Sequence, residues 1–267
     1  MTDKYAVIGN PIEHSKSPLI HASFAKQTNQ DIRYEAIFAS LDGFEAKIQE
    51  LIKQDYKGVN VTVPFKFDAY NICDSLSARA VSSGSGAVNT LINIGGNIHG
   101  DNTDGVGLRN DIEQNIGFLI ANKHILVLGA GGAAHGVLNS LFGASSITIA
   151  NRTHDKALQL VMALKNYEAT ASRFESLEKP YDLIINATSA GLSDIALPIP
   201  DSTFGPNCLA YDMMYGRETP FMKQAKANGA QVSDGLGMLV EQAAEAFHIW
   251  RGVRPQTAPV IAQLRKA

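Results

Sequence analysis

The stretch I-L-V-L-G-A-G-G-A-A-H-G (residues 125–136) runs from an apolar segment into a glycine-rich turn and then into a helical pattern. Strand, G-x-G-x-x-A turn and helix, in that order, form the arrangement in which backbone binds a dinucleotide pyrophosphate. Gly129 permits the tight turn, Gly131 lets the backbone approach the pyrophosphate, and Ala134 takes the third position, where a small residue keeps helix and strand close. The helix N-terminus adds free N–H groups and a partial positive charge. A glycine-rich turn that binds nothing is the plain alternative, and the flanking strand and helix argue against it.

The next strand end sharpens the reading. NAD-binding folds place Asp or Glu about 20 residues after the first glycine, on the ribose 2′-hydroxyl. This chain has Asn151-Arg152-Thr153 there, with no carboxylate to repel a 2′-phosphate. Arg152 can stack on the adenine and pair with that phosphate. A helix starting near Thr153 brings Lys156 to the same side. The residues therefore point to NADP over NAD, against the alternative of a solvated basic pair on a surface helix.

Outward from this turn, short apolar runs alternate with longer amphipathic ones. Upstream, residues 5–9, 32–38 and 58–63 read as strands. The third has Val59, Val61 and Val63 on one face and Asn60 and Thr62 on the other. Ser17 and Pro18 open a helix, with Ser17 as cap and Pro18 at the first helical position. Residues 42–55 have helical spacing, and 88–94, Gly95-Gly96 and Ile98 read as a hairpin. Downstream, residues 146–150, 183–186 and 209–212 are strands, while 154–164, 219–228 and 237–250 are helices. This rhythm predicts a parallel sheet with helices on both faces. The expected fold is α/β in two domains with a cleft between them. An N-terminal α/β substrate domain takes residues 1–104 plus 238–267, and a Rossmann-type NADP-binding domain takes 105–237. Glycines cluster at both crossings, near 104–107 and 235–237.

The chain has 267 residues, room for two cores. Its 23 Lys and Arg against 26 Asp and Glu give a formal charge of -3. That balance offers no bulk attraction to nucleic acid or to an anionic membrane, so an anionic ligand must be held by a few local cations. Cys73 and Cys208 lie far apart, which argues against a disulfide framework and a structural zinc site. The seven histidines show no ligand spacing, and no metal is expected. No signal-peptide pattern and no run of about 18 apolar residues is present. The expectation is a cytoplasmic protein acting on small molecules, a monomer or homodimer, with no nucleic-acid or membrane partner.

Three polar motifs stand at the ends of the upstream strands. They are His14-Ser15-Lys16-Ser17-Pro18, N-V-T-V-P-F-K (60–66) and Asp101-Asn102-Thr103-Asp104-Gly105. Strand ends are where open α/β sheets bind ligands. Their hydroxyls, amide, lysine and carboxylate suit a small polyhydroxylated acid. Singly each is ordinary: Ser17 serves as a helix cap, Lys66 as a surface lysine, Asp104 as a cap before Gly105.

Taken in order, more segments accumulate: V-I-G-N-P-I-E-H-S-K-S-P (7–18), G-V-N-V-T-V-P-F-K (58–66), G-A-V-N-T-L (86–91), N-T-D-G-V-G (102–107), G-A-G-G-A (129–133), N-R-T (151–153), N-A-T-S-A-G (186–191), Y-D-M-M-Y (211–215) and D-G-L-G-M-L-V-E-Q-A (234–243). With these the sequence resembles the shikimate dehydrogenase family from end to end. The resemblance implies NADPH-dependent reduction of 3-dehydroshikimate to shikimate, on the way to chorismate and the aromatic amino acids. It puts the catalytic pair on Lys66 and Asp104, and substrate contacts on Ser15, Ser17, Thr62, Asn89, Tyr215 and Gln242. Cofactor contacts fall on Gly129, Ala130, Gly131, Gly132 and Ala133, on Asn151, Arg152, Thr153 and Lys156, and on Met213 and Gly235. Lys66 would pass a proton to the ketone oxygen, Asp104 would orient it, and the serines would hold the substrate carboxylate.

Two departures stand out. Family members often carry an acidic residue where this chain has Ala78, and the stretch 81–86 is longer and more polar than usual. Two rival readings are a quinate or dual quinate/shikimate dehydrogenase and a non-catalytic NADP-binding regulator. Quinate carries a further hydroxyl beside its carboxylate. Retention of both Lys66 and Asp104 speaks against the regulator.

Overall fold

The computed structural model describes residues 2–82, 86–164 and 168–266. Residues 83–85, inside the longer polar stretch, lie outside the described residues. The chain divides into two compact units, Met1–Gly107 with Val240–Ala267, and Leu108–Leu239.

The first unit opens with β1 (Asp3–Gly9), α1 (Ser17–Thr28), β2 (Ile32–Phe38), α2 (Phe44–Lys53) and β3 (Tyr56–Val61), whose three strands pair in parallel. There follow α3 (Lys66–Asn71), the short β4 (Ser75–Leu76), α4 (Ala78–Ser82), a hairpin of β5 (Thr90–Ile94) and β6 (Asn97–Asp101), and α5 (Asp104–Asn110). The strand order is β2-β1-β3-β5-β6-β4, with β5 antiparallel to both β3 and β6. This sheet is therefore mixed, not wholly parallel. Gly95 and Gly96 both hold positive φ, 62° and 96°, and reverse the chain in two residues, which leaves only antiparallel pairing to the strands they join. Strand β3 stops short of Val63, which is 63% exposed, because a turn starts at Thr62 and closes with Phe65 N–H donating to its carbonyl at 3.1 Å. Ile8, Phe44, Ile48, Val59 and Phe65 stand in the buried core.

The second unit runs β7 (His124–Leu128), α6 (Gly132–Val137), β8 (Ser146–Ala150), α7 (His154–Ala163), β9 (Ala169–Ser172), β10 (Tyr181–Asn186), β11 (Phe204–Asp212), α8 (Pro220–Ala227) and β12 (Gln231–Asp234). Its strands pair in parallel in the order β12-β11-β10-β7-β8-β9. Two halves wind outward from β7 and β10, which is the Rossmann order. Alternate residues feed two cores: Ile125, Val127, Ile185 and Leu209 enter one cluster, and Leu126, Leu128, Ile184 and Ala210 the other. A sheet buried on both faces reads as continuous apolar runs, as these strands do.

Helices α9 (Leu236–Arg251) and α10 (Ala258–Leu264) end the chain. From Val240 onward they belong to the first unit. Trp250 stacks on Tyr5 at 4.8 Å and donates its Nε1–H to the Leu91 carbonyl at 3.1 Å. Gly58 lies beneath it, where a Cβ would stand 2.2 Å from Trp250 Nε1. Among the described residues no helix is long and apolar enough to cross a membrane, and no group of His, Cys, Asp and Glu is arranged to hold a metal ion.

Candidate active site

In the second unit, strand register brings the candidate cofactor residues to one edge. Leu128 pairs with Ala150 and Asn186, Asn186 with Asp212, and Asp212 with Asp234. The carboxyl ends of β7, β8, β10, β11 and β12 are thus level, and a ligand crevice in such a sheet lies outside those ends, where the strand order reverses. Gly129 leaves β7 at φ 103°, and a Cβ there would lie 3.1 Å from Thr188 Cγ2 and 3.2 Å from the Ala187 carbonyl. Gly131 caps α6 in extended backbone, and among the described residues beyond its chain neighbours nothing lies within 4 Å of where its Cβ would be. Ala134 is fully buried. Ala130, Gly132 and Ala133 complete the turn and the start of α6.

After β8, the Asn151 side-chain amide donates to the Thr153 carbonyl at 2.9 Å and shapes the entry to α7, for which Thr153 is the cap. Arg152 and Lys156 are exposed. After β11, the buried Asp212 accepts from Asn186 Nδ2 at 3.1 Å, the Met214 N–H at 3.0 Å and the Thr219 hydroxyl at 2.6 Å. Burial pushes the Asp212 carboxyl above its usual range. Gly235 sits against the same turn, its N–H donating to the Met214 carbonyl at 2.9 Å, and its Cβ would stand 2.3 Å from the Met213 carbonyl oxygen. Met213 and Gly235 are therefore neighbours. Tyr215 is half-buried, and burial raises its phenol.

The first unit gathers its candidates at one sheet end as well. Ile8 pairs with Val61, Asn60 with Thr90, and Thr90 with Asp101. Lys66 opens α3 and Asp104 opens α5, and Lys66 Nζ donates to Asp104 Oδ2 at 2.5 Å. Their side chains are only 17% and 8% exposed, so neither is an ordinary surface charge. Asn89 Nδ2 donates to Asp104 Oδ1 at 2.8 Å, and its Oδ1 accepts the Thr103 N–H at 2.8 Å. Asn102 Oδ1 accepts the Asp104 N–H at 3.0 Å. Gln242, on α9, lies 3.5 Å from the Thr103 hydroxyl. Ser17 is the first residue of α1, and Lys16 holds the cap position. This differs from the expected Ser17 cap. The Ser15 hydroxyl, not that of Ser17, accepts the Ser17 N–H, at 3.3 Å. Ser17 is buried, and Ser15 and Thr62 are half-buried.

Three family models match the chain. That of the shikimate dehydrogenase substrate binding domain covers residues 7–91, that of shikimate / quinate 5-dehydrogenase 112–195, and that of the shikimate 5′-dehydrogenase C-terminal domain 235–265. A shikimate dehydrogenase (NADP(+)) from Methylobacillus flagellatus is 57% identical, over 99% of this chain and 100% of that protein. The chain belongs to the shikimate dehydrogenase family. Among solved structures of similar proteins, an Ael1 enzyme from Pseudomonas putida shares 46% identity at a TM-score of 0.93, covering 98% of each chain. The shikimate 5-dehydrogenase of Thermus thermophilus, in complex with NADP(H) and shikimate, shares 33% identity at a TM-score of 0.88, covering 99% of each.

Within this family frame, the supports of the two sites are what the sequence reading missed. Arg79 forks onto Asp101 at 2.6 Å and reaches Glu245 at 2.6 Å, while Arg254 joins Glu245 and Glu241. This ties α4, β6 and α9 together beside the 102–104 turn. Burial alone would push the Asp101 carboxyl up, but Arg79 and the Ser77 hydroxyl hold it below the usual range. The departure at Ala78 thus adjoins an arginine held by two carboxylates. Asn60 was readable as an amide on the polar face of an otherwise apolar strand. Nothing in its spacing gives its partners, Tyr34, Asn89 and Thr90.

Proposed function

We propose that the chain reduces 3-dehydroshikimate to shikimate, reversibly and with NADP as cofactor, and that Lys66 and Asp104 handle the proton. The observation that carries this reading is the part-buried ion pair of Lys66 and Asp104 at 2.5 Å, braced by Asn89 at a sheet end. The cofactor half is supported by the open space at Gly131, the Gly129 turn, and a β8 end that offers Arg152 and Lys156 in place of a carboxylate. When bound, NADPH supplies the hydride. As hydride reaches the ketone carbon, negative charge builds on its oxygen. The Lys66 ammonium donates a hydrogen bond and then its proton to that oxygen, and takes the proton back in the reverse direction. Asp104 holds Lys66 by a charge-assisted bond and accepts from a substrate hydroxyl. Ser15 and Ser17 donate to the substrate carboxylate, and Thr62, Asn89, Tyr215 and Gln242 meet its remaining polar groups. The reaction runs in the cytoplasm, on a monomer or homodimer.

One steady-state series tests the assignment. Lys66→Ala is expected to lower kcat by about 10²–10⁴ with a much smaller change in KM for shikimate, because proton transfer matters in the transition state. Ser17→Ala is expected mainly to raise KM, since its carboxylate contact exists in ground and transition states alike. If Lys66→Ala raised KM alone, Lys66 would be a binding residue. Quinate with the unsubstituted enzyme is the companion substrate, and turnover matching that of shikimate would make the activity a dual one.

A further inference from the structure

Arg79 lies in the first turn of α4, and Asp101 closes β6. The guanidinium forks onto the carboxylate, with Nη2 donating to Oδ2 at 2.6 Å and Nε to Oδ1 at 3.2 Å. Nη1 donates to Glu245 Oε1 at 2.6 Å, and Glu245 Oε2 accepts from Arg254 at 2.5 Å. The side chains of Asp101 and Glu245 are only 6% and 12% exposed. From Asp101 the bonds lead on to Asp104. Asp101 Oδ1 accepts the Asn102 N–H at 2.7 Å, and Asn102 Oδ1 accepts the Asp104 N–H at 3.0 Å. Asn102 Nδ2 donates to the Ala87 carbonyl at 2.9 Å. Next along the chain, the Val88 N–H donates to the Lys66 carbonyl at 2.9 Å, and Asn89 Nδ2 donates to Asp104 Oδ1 at 2.8 Å. Segment 87–89 therefore touches both Lys66 and Asp104, and Asn102 ties it to the turn that carries Asp104.

We propose that Arg79 is a positioning residue for the reaction: through Asp101 and Asn102 it fixes where Asp104 stands, and with it the geometry of the pair formed with Lys66. The proposal rests on the reading of Lys66 and Asp104 as the proton pair.

A carboxylate as buried as that of Asp101 needs a counter-charge, and a fork supplies more than charge. Two parallel N–H···O bonds fix the plane of the Asp101 carboxylate, and that plane decides where Oδ1 stands against the Asn102 N–H. Oδ1 also accepts the Ser77 hydroxyl at 2.6 Å, but a single rotatable hydroxyl does not set a plane. Glu245 in turn keeps the guanidinium from turning about its stem. Without the fork the carboxylate swings toward water, and the Asn102 N–H loses its acceptor. The Asn102 amide then carries the shift to the Asp104 N–H. Proton transfer tolerates little of this, since a misplacement of about 1 Å costs about a hundredfold in rate. A lysine at this position would return the charge as a point, without the fork.

Arg79→Lys separates charge from geometry. It keeps a counter-charge for Asp101, so its melting temperature is expected to stay within a few degrees of the parent's. Its kcat with shikimate is expected to fall about 5- to 30-fold, the scale of a shift of about half an ångström at Asp104. KM for NADP is expected to stay within about twofold, since no cofactor contact changes. Arg79→Met removes the charge as well and is expected to lose more kcat, and stability with it. Arg254→Met breaks contacts with Glu245 and Glu241 but none with Asp101, and its kcat is expected to stay within about twofold of the parent's. In a cycle of Arg79→Lys with Asp101→Asn, the double variant is expected to be little worse in kcat than the poorer single one, as for groups in direct contact. Parent-like kcat in Arg79→Lys would overturn the proposal, as would losses that multiply independently in the double variant. An equal kcat loss in Arg254→Met would also overturn it, because the effect would then belong to the ion-pair cluster as a whole. So would equal losses toward shikimate and NADP with a lowered melting temperature, which is the pattern of a structural role alone. If Asp104→Asn lowers kcat while Arg79→Lys is silent, the proposal fails and the proton-pair reading stands. If Asp104→Asn leaves kcat unchanged, the proton-pair reading fails and takes the proposal with it.

Discussion

Single side chains are expected to set the choice of cofactor and one unusual pH dependence. Arg152 is exposed at the end of β8, free to meet a 2′-phosphate with charge-assisted bonds worth about 1.5–3 kcal/mol each. Arg152→Ala is expected to weaken NADPH by about one to two powers of ten and to leave NADH nearly unaffected, as read by fluorescence titration of both cofactors. Equal losses would show that Arg152 does not read the 2′-phosphate. Lys156→Ala should act in the same direction but more weakly, being a flexible point charge on the exposed side of α7. His21 presents the opposite situation, a fully buried imidazole that burial pushes down to about 3. The unfolded chain binds a proton at this residue near pH 6.5, and the folded protein refuses it until about pH 3. The unfolded state thus holds more protons across that window, so stability falls as pH drops below about 6.5, by roughly 1.4 kcal/mol per pH unit. His21→Phe is expected to flatten this slope. Urea midpoints of parent and variant at pH 7.0 and about 5.0 decide it, and parallel slopes would mean the ring is not kept neutral.

At the level of elements, the turn after β11 depends on one carboxylate. Asp212 collects an amide from the end of β10, a backbone N–H from its own turn and the hydroxyl of Thr219, which also caps α8. All three donors lose their partner in Asp212→Ala, and each unsatisfied buried group costs about 1–3 kcal/mol. Asp212→Ala is expected to destabilise the protein by about 2–4 kcal/mol, toward the low end of the roughly 3–9 kcal/mol sum or below it, because some donors re-pair or reach water. KM for NADP is expected to rise as well, because Met213 and Gly235 share this turn. A urea melt and a cofactor titration on the same preparation check both effects. An unchanged cofactor KM would separate the turn from the cofactor.

The whole molecule holds two units, each with its own sheet and core. Ligands that contact different units should leave different marks on amide hydrogen exchange. NADP is expected to slow exchange in residues 129–135 and 151–157, and shikimate in 15–18, 62–66 and 102–105. Mass-spectrometric exchange with each ligand alone reads this directly. Protection by NADP confined to the first unit would contradict the assignment of the glycine turn. The same experiment reports on α9, whose residues from Val240 onward belong with the first unit although its first turn belongs with the second.

Local sequence was enough for whatever depends on neighbours along the chain. The Gly129 turn, the apolar runs of β7, β8 and β10 and the helical spacing of α7 are all decided by backbone sterics and side-chain period within a few residues. The Rossmann halves followed from their alternation. Sequence alone also carried the family resemblance, because nine short motifs in order name residue types independently of how they pack. What it could not give were partners distant along the chain. Tyr34 and Asn60 are 26 residues apart, and Arg79 and Glu245 are 166 apart. Strand β3 ended before its alternation did, because the turn at Thr62 closes there. The antiparallel hairpin in the first sheet, by contrast, was legible, because Gly95 and Gly96 that turn it are neighbours along the chain. Propensity and period act over a single turn or strand. The orientation of a buried amide such as Asn60 is decided only when the donors and acceptors of other strands close around it.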